Sequence, residues 1–169
     1  MSWNPRPFGK AALACLTFIV LLSSSALATD SADMKEVGTY PLTMDKVRRL
    51  AAAATELSAY GESHPNQSTA KSGSGDSNFT EMAKELDSKS PEAAAIIKKH
   101  GYSTREFMVA STTLGMASMA VNLKKSGMSG GATAKEEGPV VKANEELLEK
   151  NWDEVQRLSA AMRPAKKGN

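Results

Sequence analysis

Two methionines three residues apart, Met116 and Met119, are the first pair in this chain whose types and spacing suggest chemistry. Thioethers are soft ligands for Cu(I), and a spacing of three brings two side chains onto one helix face. Copper carriage is therefore one expectation for this pair. The competing expectation is packing, because methionine also fills irregular gaps in helical cores. The other methionines are scattered and no histidine joins the pair, so packing is the stronger of the two.

Catalytic arrangements are harder to build. The histidines are His64, within "SHPN", and His100, within "KKHG". The first falls in a polar stretch read as a loop. The second falls at a helix end, where positive charge complements the helix dipole. No HExxH, GxSxG, phosphate-binding loop or paired-glycine nucleotide fingerprint occurs. No CxxCH for haem attachment occurs either. Carboxylates alternate with lysines as they do on solvated helix faces. These features weigh against an enzyme and call for no cofactor.

A third pattern lies in "STREFMVASTTLGMASMAVNLKK", which has no charged residue from Phe107 to Leu123. Ser111, Gly115, Ser118 and Asn122 recur at spacings of four, three and four, giving a stripe of small and polar residues. A helix uncharged on all sides is expected at the centre of a fold. Its polar stripe then needs partners. Asn144 and Asn151 lie on an otherwise apolar heptad seam, Val141–Leu148–Val155–Met162 with Leu158, and are the expected partners. A satisfied core network, or simply a more exposed edge, is the preferred reading of these six residues. A small polar pocket between helices is the functional one.

These residues need elements to hold them, and the chain begins with an address. Arg6 and Lys10 precede the apolar run "AALACLTFIVLL", and small residues follow at Ala26 and Ala28. That order is the pattern of a cleaved secretory signal peptide over residues 1–28. Cys15 lies inside the run, so the processed chain would carry no cysteine, disulfide or thiolate. Arg6 and Lys10 would also leave, taking Lys+Arg from 21 to 19 against 19 Asp+Glu. A neutral processed chain gives no reason to expect nucleic acid as a partner. The charge-free segment of 17 residues is short for a membrane span, which takes roughly 20 apolar residues.

Downstream, residues 29–40 read as a flexible N-terminal segment and residues 41–163 as one helical domain. Ala, Met, Lys, Glu and Leu favour helix, and alternating β-branched runs are absent. Thr43 caps a first helix that Gly61 stops. Residues 61–77 are a polar loop. A second helical region from Asn78 breaks near Ser90 and Pro91 and ends at Gly101. Ser103 and Glu106 form a capping box for the third helix. Residues 126–138 are a second loop, Pro139 opens a fourth helix that Pro164 ends, and 164–169 is a disordered tail. The expected architecture is all-α, a small antiparallel bundle of about four main helices.

The segments "YPLTMDKVRRLAAA" (Tyr40–Ala54) and "HGYSTREFMVASTTLGMASMA" (His100–Ala120) resemble an uncharacterised family of small exported all-helical bacterial proteins. Those proteins share a signal peptide, a helix opened by Leu-Thr and a long uncharged helix after a Gly-x-Ser/Thr-x-Arg start. The resemblance implies export and an all-helical domain, and it assigns no site. The function expected from these readings is non-catalytic binding of a partner protein or envelope component in the periplasm or outside the cell. The alternative is a small-ligand or copper carrier that uses the bundle interior.

Overall fold

The computed structural model describes residues 31–64, 78–127 and 138–162. The expected signal peptide, most of both expected loops and the expected tail lie outside them. The described residues are all-helical, with seven helices and no strand. They are α1 (Ser31–Thr39), α2 (Met44–Ser63), α3 (Phe79–Lys89), α4 (Pro91–Lys99), α5 (Thr104–Lys125), α6 (Pro139–Lys150) and α7 (Trp152–Ala161). No helix among them is long and apolar enough to cross a membrane.

Local grammar sets most boundaries. The Thr43 hydroxyl accepts the Lys46 N–H at 3.2 Å, and the Asn78 side chain accepts the Glu81 N–H at 2.9 Å. Both satisfy donors that a helix start leaves free. Gly101 closes α4 at φ +81°, and Tyr102 N–H returns to the Ile97 carbonyl. A side chain at position 101 would be strained in this conformation, and its Cβ would come within 2.7 Å of the Arg49 guanidinium.

Other boundaries differ from the expectation. Residues 31–39 form α1 rather than a flexible segment. Nine residues do not hold a helix in water by propensity alone, so its partners must do so. The Asp33 carboxylate accepts the Phe79 N–H at 2.6 Å and an Arg105 N–H at 2.8 Å, while Glu36 pairs with Arg105 at 2.7 Å. The first expected helix runs past Gly61 to Ser63. There His64 caps the end by donating its N–H to the Tyr60 carbonyl and stacks on the Tyr60 ring, so it belongs to a helix end rather than a loop. The fourth expected helix breaks at Asn151, whose side-chain amide bonds the Leu147 carbonyl at 2.8 Å. The expected break at Ser90 is present, but Ser90 makes no capping bond. Its hydroxyl is buried and finds no hydrogen-bond partner among the described residues.

Helix α5 is the axis of the fold. It packs against α1, α2, α3, α4 and α6, while α7 lies on α2 and α6. Its Ala110, Leu114, Ala117 and Val121 meet Val47 and Leu50 of α2, Ile97, Tyr102, Leu148 and Val155 in one buried cluster. A smaller cluster of Val37, Phe79 and Val109 joins α1 and α3 to the start of α5. At about 1.5–3 kcal/mol per fully buried large aliphatic side chain, these clusters are the main source of stability among the described residues, which include no cysteine.

Candidate functional site

The charge-free helix is central, but only along part of its circumference. Ser103 caps it by accepting the Glu106 N–H at 3.1 Å. The expected reciprocal half of the capping box does not form. The Glu106 carboxylate instead accepts the Tyr40 hydroxyl at 2.9 Å, 66 residues away in sequence. That bond adds to burial, the larger effect, in raising the pKa of Tyr40 well above the usual phenol value.

Each residue turns a helix by about 100°, so the arc holding Ala110, Thr113, Leu114, Ala117 and Val121 leaves an opposite arc. Over the first turns α1 and α3 cover that arc through the bonds of Arg105 to Asp33, Glu36 and Thr80. From the level of Ser111 onward it lies open. Gly115, Met116, Met119 and Asn122 are exposed, and Ser111, Thr112, Ser118 and Leu123 are half-buried. Met116 is 51 % and Met119 64 % exposed, the two exposed large hydrophobic side chains among the described residues.

The expectation that these methionines fill the core is therefore corrected. They lie on the turns that face away from α2 and α6. Gly115 stands beside them with nothing within 4 Å of the position a Cβ would take. A glycine inside a helix costs about 1 kcal/mol relative to alanine, and no contact within the described chain requires it here.

The polar stripe and the two asparagines do not meet as expected. The Ser111 hydroxyl donates to the Phe107 carbonyl of its own helix at 2.6 Å. Asn144 is buried, at 4 % exposure, and serves a different segment. Its Oδ1 accepts the Leu42 N–H at 2.8 Å and its Nδ2 donates to the Tyr40 carbonyl at 2.9 Å. It thus pins the α1–α2 connection to α6. Asn151 stays within the α6–α7 junction. Ser111, Gly115, Ser118 and Asn122 remain together on the open side of α5, without either asparagine.

A concavity lies between α2 and α7, a shallow groove of about 510 Å³. Ala51, Ala52, Ala59, Leu158 and Ala161 line it, with Arg48, Glu56 and His100 at its rim. The His100 ring nitrogen Nε2 lies 2.8 Å from Glu56, which also accepts Lys99 at 2.9 Å. Hydrogen bonds from Lys99 and then His100 hold the Glu56 carboxyl below the usual range. The Thr55 hydroxyl lines the same groove but donates to the Ala51 carbonyl at 2.8 Å and the Ala161 carbonyl at 3.4 Å, so it is bonded to backbone rather than to the imidazole. Nothing in this set activates a nucleophile. No group of three or more His, Cys, Asp or Glu side chains among the described residues is placed to hold a metal ion.

Sequence reasoning missed the Asp33–Glu36–Arg105 cluster and the Glu56–His100 contact. Their cation–carboxylate pairs join residues 44 to 72 apart in the chain and share no periodic signal. No protein-family model, no curated protein and no solved structure matches the chain.

Proposed function

We propose that this is an exported, non-catalytic helical protein that binds a partner protein or envelope component through the open side of α5. One observation carries the reading: a stretch without charge from Phe107 to Leu123 reaches the surface with Met116 and Met119 largely exposed. Exposed apolar residues grouped on one helix face, rather than scattered singly, mark contact surfaces. Unbranched methionine also adapts to a partner's shape. Export rests on the basic, apolar and small-residue order of residues 1–28. The topology we assign is an antiparallel bundle of four helical regions, two of them broken, with α1 laid across it.

The carrier alternative has less behind it. A copper site at Met116 and Met119 would call for further soft ligands, and neither histidine is on α5. A photo-crosslinking amino acid placed at position 119, with the exposed position 156 of α7 as control, tests the binding reading in cells. Protein adducts from 119 and none from 156 are expected. If 119 gives no more adducts than 156, the face does not bind.

A further inference from the structure

We infer that the partner of the open α5 face is a second copy of this chain, docked antiparallel across a twofold axis at the level of residue 117. The inference rests on the reading of that face as a docking surface and names its occupant.

The positions on the open side are themselves palindromic. Thr112, Gly115, Met119 and Asn122 follow at spacings of three, four and three, so they share one side of the helix. They are also symmetric about position 117. Antiparallel pairing therefore sets Met119 of each copy over Gly115 of the other. It likewise sets the Thr112 hydroxyl opposite the Asn122 amide, once on each side of the axis. A twofold interface needs this reciprocity, in which residue i meets j and j meets i.

Gly115 supplies the independent observation. It is exposed, in mid-helix, with open space where a Cβ would stand. The described chain gains nothing from the missing side chain. A facing helix does, because the notch admits a methionine and lets the two backbones approach.

Charge points to the same occupant. The strip holds no charge over its length. The other long helix, α2, exposes Asp45 and Arg48, paired with Arg49 and Glu154, and burying those charges against the uncharged strip is costly. A second copy of the strip brings no charge to it, and the antiparallel arrangement also sets the two helix dipoles head to tail. The paired region from Thr112 to Asn122 is only about 15 Å long. Such a contact falls below the roughly 800 Å² per partner of standard interfaces, so the dimer is a weak one.

Sedimentation velocity of the purified protein from low-micromolar to several hundred micromolar concentration tests this. A concentration-dependent shift from monomer to dimer is expected. Met119→Lys should weaken the dimer by roughly a hundredfold, since it seats a charge at the centre of the interface. Gly115→Ala should move two readouts in opposite directions. It raises the thermal midpoint of the dilute monomer, through helix propensity, and weakens the dimer at least several-fold. Gln156→Lys should change neither.

A protein that stays monomeric throughout overturns the inference, as does a dimer indifferent to both α5 substitutions. If Met119→Lys does not fold, Gly115→Ala decides alone. Adducts from position 119 to other proteins, together with a solution monomer, remove the second copy and leave the binding face standing.

Discussion

At the scale of single residues, the most consequential side chain away from the open face is Asn144. It is one polar group in a seam of Val141, Leu148 and Val155, and its oxygen and nitrogen satisfy Leu42 N–H and Tyr40 C=O in opposite directions. Asn144→Ala strands both backbone groups where water has little access. Each orphaned buried group costs about 1–3 kcal/mol, so a loss of roughly 2–4 kcal/mol in urea unfolding is expected. Asn144→Asp should not rescue it, because a carboxylate accepts from Leu42 but has nothing to donate to Tyr40. Full stability in either variant would show that the connection is held elsewhere. That an asparagine on this seam is buried and bonded follows from its sequence pattern. Its partner does not, because Tyr40 and Leu42 lie more than a hundred residues away.

At the scale of elements, the nine-residue α1 depends on tertiary contacts. Its apolar contribution is small, and its ion pairs converge on Arg105. The Asp33 carboxylate is almost wholly buried, whereas Arg105 is about a third exposed, at 34 %. Removing a partner from a buried charge costs 3–5 kcal/mol in full burial, and partial exposure of Arg105 reduces this to about 2 kcal/mol. Arg105→Ala should therefore release α1 selectively. Hydrogen exchange over residues 31–39 is expected to rise sharply while the core of α5 near Val109–Val121 stays protected. Equal loss of protection in both would mean that α1 and α5 unfold as one unit. Helices α2 to α4 were legible in the sequence because caps, a helix-opening proline and Gly101 are local signals. The helix at 31–39 was not, since Asp33 and Glu36 are ordinary acids until Arg105 arrives.

At the scale of the whole molecule, helices are tied by surface ion pairs that titrate together. Arg48–Glu154 joins α2 to α7, Lys99–Glu56 joins α4 to α2, and Lys124–Glu149 joins α5 to α6. In each case a hydrogen bond from the cation, first among the causes, holds the carboxyl below its usual range. A depressed folded pKa adds stability above the unfolded value, about 4.3 for Glu, and that stability is lost as pH falls through the folded value. The thermal midpoint should thus hold through neutral pH and fall below about pH 4.5, with a shallower fall in high salt. An acid limb unchanged by salt would show that these surface pairs do not carry the loss.

The amino-acid sequence by itself determined the helical class, most of the caps and stops, and the charge-free segment from Phe107 to Leu123. All of these are encoded within a few residues, by propensity, turn chemistry and composition. Only the tertiary structure decided which arc of that segment is buried. Both arcs are uncharged, and periodicity cannot rank two apolar stripes of similar strength. The choice was made by residues far along the chain: Val47, Leu50 and Leu148 claim the arc of Ala110, Leu114 and Val121, while the arc of Gly115, Met116 and Met119 is left facing outward.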